Sequence, residues 1–265
     1  MKKRIKTKYY ILASSIFMIL MNFIFNAFKL NGYTTKEISD MYANLFTPAP
    51  ITFSIWFVIY ILIIFYVYAM FHVLSDNESY IAHYDRIGYY FTISNIANGL
   101  WMVMWHYNII WASLILMAII FGCLAAIFIE MKKMDYEDFI LKATFGTYFG
   151  WITIASIANI VVFLTAIQWN GFGISPEIWT VIILIVGLII TSLTAILNNN
   201  FFYMLVTLWA YIGIFMNHTS PMGWANQYPF IVTVAGACIV IEIVVLLLVM
   251  KGYFMHLKQK VVTSK

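Results

Sequence analysis

Eight long runs, 10–28, 51–74, 87–105, 109–129, 143–167, 177–197, 201–217 and 229–250, carry between them only two formal charges, Glu177 and Glu242. That spacing of charges constrains the fold more than any motif. Lipid offers the backbone no hydrogen-bond partner, so a crossing segment must satisfy its own N–H and C=O groups, and an apolar helix of about 20 residues does so. Composition agrees: 63% of residues are hydrophobic and 10% charged, against roughly 45–50% and about 25% in soluble domains. Membrane barrels alternate apolar and polar residues over roughly ten-residue strands, and no such alternation occurs here. The expected fold is an all-α membrane protein, a polytopic helical bundle of about eight transmembrane helices in contact with the lipid bilayer.

All 15 Lys and Arg residues except Lys29 and Lys36 fall on one side if the chain starts in the cytoplasm and crosses eight times. By the positive-inside rule this predicts a plasma-membrane protein with both termini cytoplasmic. The net charge of +4 gathers at the ends and in short loops, so no nucleic-acid partner is expected. The 2 cysteines, Cys123 and Cys238, lie inside apolar runs without metal-ligand or disulfide spacing. The first run, ending Phe25-Asn26-Ala27-Phe28-Lys29, lacks a small-x-small cleavage site and reads as a retained anchor.

Aromatic and carboxamide residues within the runs point to a pocket. Phe53, Trp56 and Tyr60 share one stripe of the second run, Asn98, Trp101 and Trp105 one stripe of the third, and Tyr148, Trp151, Ala155 and Asn159 one stripe of the fifth. Singly, each amide, including Asn22, Asn26 and Asn95, is better explained by bonding between helices than by ligand contact. Together, three helices each present an aromatic stripe, two of them with an amide.

Tyr148-Phe-Gly-Trp151-Ile-Thr-Ile-Ala155-Ser-Ile-Ala-Asn159, Asn98-Gly-Leu-Trp101, and Trp56-Phe-Val-Ile-Tyr60 behind Pro48 and Pro50 resemble the TspO/MBR family, the tryptophan-rich sensory proteins related to the mitochondrial translocator protein. Thr147 replaces the family's proline before the tyrosine, and Ile55 stands where many members have proline. The resemblance implies a TspO-like five-helix bundle over 1–167 with three additional helices and a basic tail over 168–265. It also implies a ligand pocket lined by Trp56, Tyr60, Asn98, Trp101, Tyr148, Trp151, Ala155 and Asn159, with Pro48 and Phe53 shaping a lid. Its ligand would be a small hydrophobic molecule such as a porphyrin or haem tetrapyrrole, bound by a sensor or carrier without catalysis. A homodimer is a further expectation.

Glu242 stands alone in the last run, and a carboxylate at that depth is either a proton- or ion-coupling group or a hydrogen-bonded neutral acid. It motivates an alternative, a secondary transporter; a membrane assembly partner is another. His72, Asp76, Glu78, His83 and Asp85 surround one inner loop without a metal-binding motif. Glu130, Asp135, Glu137 and Asp138 read as water-facing connectors, and His106 and His218 as interfacial helix ends. No catalytic or metal site is expected.

Overall fold

The computed structural model describes residues 3–75, 77–134 and 138–263; Lys2, Asp76, Asp135, Glu137 and Lys265 lie outside them. Nine helices occur among the described residues: α1 (Lys8–Ala27), α2 (Thr35–Met41), α3 (Ile55–His72), α4 (Glu78–His106), α5 (Ile110–Lys132), α6 (Phe139–Ala166), α7 (Pro176–Leu197), α8 (Phe201–Thr219) and α9 (Pro229–Thr263). The extended pieces are β1 (Lys3–Arg4) and β2 (Leu74–Ser75), a two-residue antiparallel ladder. All the helices except α2 and α4 are long and apolar enough to cross a membrane.

α4 fails that test because Asn95, Asn98 and several tyrosines dilute its middle, yet it lies beside α1 from end to end. At one end the backbone N–H groups of Lys6 and Thr7 donate to Asp85 at 2.7 and 3.0 Å. At the other the Asn31 amide donates to the His106 carbonyl at 2.7 Å. In between, Asn95 Nδ2 donates to Ser14 and Ser15 Oγ at 3.1 Å each. α4 thus runs beside α1 along its length, while the candidate spans by length and composition number seven among the described residues. Its start at Glu78 rather than 87 follows from Asn77, whose side chain accepts the Tyr80 N–H as an N-cap.

Both ends of the described chain lie at one end of the bundle, here called the base. Arg86 Nε donates to Glu130 at 2.7 Å, Tyr84 donates to Asp138, and Lys142 Nζ donates to the Asn199 carbonyl at 3.2 Å. Glu130 corrects one expectation: it is buried, 6% exposed, because Arg86, His83 and Lys133 all bond its carboxylate. The Asn198-Asn199-Asn200 run is a turn, with Asn199 at φ 44° and Asn200 capping α8 through the Tyr203 N–H. Asparagine tolerates this left-handed conformation better than most residues.

The opposite end is roofed by residues 28–54. Thr34 and Glu37 form a capping box at the start of α2, and Glu37 also accepts from Lys29 at 2.8 Å. α8 holds the second half of the roof. Trp209 Nε1 donates to the Thr52 carbonyl at 3.0 Å, Ala49 N–H to the Gly213 carbonyl at 2.9 Å, and Asn217 Nδ2 to the Thr47 carbonyl at 2.9 Å. His218 Nε2 donates to the Leu45 carbonyl at 2.8 Å. His218 and His106 are therefore fully buried rather than interfacial, each satisfying a backbone carbonyl.

α6 is the shared wall. One face turns Tyr148, Trp151 and Asn159 toward α3, α4 and α5; the other turns Gly146 and Gly150 toward α8. A Cβ on Gly150 would lie 2.7 Å from the Tyr203 carbonyl oxygen, and one on Gly146 would strike the Asn200 amide. Small residues four apart let two helix backbones approach closely in a membrane. The last three helices are thus packed on the first bundle through α6 and through the roof.

Candidate functional site

Beneath the roof two neighbouring spaces open between the helices. The wider, about 520 Å³, lies between α1, α3 and α4, and its walls include Phe53, Trp56, Tyr60, Trp101, Asn22 and Asn26. The narrower, about 60 Å³, lies toward α5 and α6 and is lined by Pro48, Asn98, Trp151, Ala155 and Asn159, among others. Phe53, Trp56, Trp101 and Thr35 line both. Pro48 and Phe53 thus belong to the roof and its margin.

The three stripes meet. Trp56 stacks on Tyr60 with centroids 5.6 Å apart and meets Trp151 edge-on at 6.4 Å, while Phe53 meets Trp151 at 5.7 Å. Trp101 stacks on Trp105 at 5.1 Å with planes 21° apart. Trp105 is also a latch, since its Nε1 donates to the Thr35 carbonyl of the roof at 3.0 Å. The Trp101 indole N–H is buried and has no partner among the described residues.

An amide chain crosses the floor. Asn22 Nδ2 donates to Asn98 Oδ1 at 2.8 Å, and Asn98 Nδ2 donates to the Tyr148 hydroxyl at 3.1 Å, linking α1, α4 and α6. Tyr148 is fully buried with its ring 5.9 Å from Trp56, so it backs the aromatic wall and lines neither space. Asn159 pairs with Ser113 of α5 at the 3.5 Å limit of a hydrogen bond, and half-buried Ala155 leaves room beside it.

Sequence reasoning assigns the pocket to three helices and misses the wall from α1, namely Ile19, Asn22, Phe23 and Asn26, together with Thr34, Thr35 and Lys36 of the roof. The available signal is the Asn22/Asn26 pair one turn apart. Asn26 Oδ1 accepts the Thr35 N–H at 3.0 Å, so that pair ties roof to wall. At the rim, Lys36 pairs with Asp40. The Glu37 carboxyl is held down at about 2, first by the Lys29 ammonium and then by the Thr34 N–H.

Glu242 lies apart from both spaces. It is fully buried on α9 and accepts from Thr191 Oγ1 of α7 at 3.2 Å. Among the described residues no group of three or more His, Cys, Asp or Glu is placed to hold a metal ion.

The chain matches the TSPO-like protein family over residues 8–249, a span that takes in α7, α8 and most of α9 as well as the first bundle. No curated protein and no solved structure gives a significant match. Eight long helices, a roofed aromatic cavity and a family match along nearly the whole chain lead to one conclusion: this multi-pass membrane protein belongs to the TSPO-like family.

Proposed function

We propose that this protein is an integral membrane ligand-binding protein, a sensor or carrier, for a flat hydrophobic molecule of the porphyrin or haem tetrapyrrole type. One observation carries the reading: a space of about 520 Å³ walled by Phe53, Trp56, Tyr60 and Trp101 and bordered by the amides of Asn22 and Asn26. Small-molecule pockets run from roughly 300 to 1,000 Å³ and are mainly apolar with a few placed polar groups. The narrower space, about 60 Å³, is too small for a macrocycle. In this reading the ring stacks on the wider side, and only an edge substituent reaches toward Trp151 and Asn159.

Neither His nor Cys lines either space, and Met102 and Met117 are the sulfur donors there. Haem sites in proteins commonly ligate iron through His, Cys, Met or Tyr. The residues here favour recognition through the ring faces over axial ligation by His or Cys. The buried Trp101 N–H offers a donor to a polar edge. The base, rich in Lys and Arg, faces the cytoplasm of a plasma membrane in this proposal. Residues 1–167 supply the cavity, and residues 168–265 steady its roof.

Titration of the purified protein with protoporphyrin, followed by tryptophan quenching, tests this. Saturable quenching is expected. Replacing Trp56 and Trp101 together by Leu removes two ring contacts worth about 0.5–1.5 kcal/mol each and should weaken binding about tenfold. Trp151→Phe should matter less. Unchanged affinity in the double variant, with its melting temperature retained, would overturn the reading.

A further inference from the structure

A second polar cluster lies between the last three helices, well away from the cavity. Glu242 on α9 is fully buried. One carboxyl oxygen lies 3.2 Å from Thr191 Oγ1, whose single hydroxyl proton is shared with the Leu188 carbonyl at 3.1 Å; the other has no partner among the described residues. The polar groups beside it are Thr191 of α7 and Thr207 of α8; Tyr203 and Tyr211 lie on the same stripe of α8 as Thr207, one turn to either side, and Cys238 lies one turn away on α9. None of these is a cation. A carboxylate here would be a buried charge with a single hydroxyl donor, an arrangement proteins tolerate poorly. The packing is built for the carboxylic acid.

The donors able to serve a carboxylate at this place are already in use. Thr207 Oγ1 donates to the Met204 carbonyl at 3.1 Å. Tyr211 OH donates to the Leu184 carbonyl of α7 at 2.6 Å, and Tyr203 OH to Thr153 Oγ1 of α6 at 2.9 Å. The two tyrosine bonds fasten α8 to its neighbours. Turning either hydroxyl to an ionised Glu242 breaks one of those fastenings. On its other faces α8 presents Trp209, Gly213 and Asn217, whose side chains or backbone hold Thr52, Ala49 and Thr47 of the roof.

We propose that Glu242 is a proton-exchange site and that its protonation state sets how firmly α8 holds the roof over the cavity. With the proton on, α8 keeps its bonds to α6 and α7 and the roof is clamped. When the proton leaves to water, the carboxylate recruits a hydroxyl from α8 and the clamp on Leu45–Thr52 loosens. The ligand of this site is the proton itself. The inference holds whatever molecule the cavity binds.

The test is hydrogen exchange at the Ala49 and Thr52 amides in the full chain, reconstituted in phosphatidylcholine vesicles and corrected for intrinsic exchange rates. In the wild type, protection should fall as pH rises from mildly acid to alkaline, by at most tenfold per pH unit for one linked proton. Glu242→Gln, permanently neutral, should stay protected throughout. Infrared spectroscopy supplies a second decision that needs no variant: a carboxylic-acid C=O band should disappear in parallel with roof protection. Equal pH dependence in wild type and Glu242→Gln, or a roof indifferent to pH, would overturn the proposal. Neither outcome touches porphyrin binding, so this idea and the pocket reading can fail separately.

Discussion

The indole N–H of Trp209 donates to the carbonyl of Thr52 at 3.0 Å, across 157 residues of sequence. It joins α8 to the turn that opens α3, next to Phe53. Through this bond a helix outside the first five helps set the position of a residue on the cavity margin. Trp209→Phe keeps the ring volume and deletes the donor. The Thr52 carbonyl keeps the Ile55 N–H as a donor, so the loss is that of one hydrogen bond, about 0.5–1.5 kcal/mol. The thermal midpoint in detergent should fall, and amide exchange at 49–52 should rise ahead of the rest of the chain.

The Gly150 contact with Tyr203 makes a sharper stability prediction. A Cβ there meets a backbone oxygen at 2.7 Å, which no rotamer change can relieve, whereas a Cβ on Gly122 of α5 meets nothing within 4 Å. Gly150→Ala should destabilise the fold by about 1–3 kcal/mol, the usual range for overpacking. Gly122→Ala should be neutral or mildly stabilising, since alanine is the better helix former by about 1 kcal/mol. Paired thermal unfolding curves decide it.

Asn98 is the middle member of a three-helix polar chain, so its loss breaks two interhelical bonds at once, while Asn22 keeps the Met18 carbonyl and Tyr148 the Met18 sulfur. Asn98→Leu should cost more than Asn22→Leu, by about 1 kcal/mol on the scale of interhelical bonds in membranes. A double-mutant cycle between the two positions should give a nonadditive term. Strict additivity would mean that the 2.8 Å contact contributes nothing.

Acid should loosen the roof at α2. Glu37 is held at about 2, below the ordinary value of 4.5, first by Lys29 and then by the Thr34 N–H. A carboxyl lowered on folding contributes stability that is fully present above its unfolded value and is lost as pH falls through the folded one. Between about 4.5 and about 2, therefore, the capping box should weaken. Trp105 reports this through its bond to Thr35, and its emission should shift in that window. Glu37→Gln should remove the pH dependence.

The apolar runs make the long helices legible because lipid allows a crossing backbone few alternatives. The polar α4 is found by the same reading, since its aromatic and amide stripe marks an interior helix even where mean hydropathy is low. Trp56 and Trp101 are recoverable because helical periodicity alone puts them on stripes with other rings. The spacing of Asn22 and Asn26 puts them on one face but leaves their role open, because an amide that bridges helices and one that borders a cavity leave the same mark in sequence. The buried state of Glu130 escapes for a related reason. Its partners Arg86 and His83 lie on another helix, and their approach is a product of packing rather than of local pattern. The same holds for His218 and Leu45.

Because the carbonyls at Leu45 and Thr47 find their donors on α8, and Thr52 finds a second one there beside the Ile55 N–H, a polypeptide ending after α6 would expose two bare acceptors and slacken a third at the mouth of its own chamber. Such a shortened relative would need replacement ties from within its loop or would stand ajar. The late helices are accordingly a stave of the vessel, and evolution or engineering can remove them only by redesigning its cover.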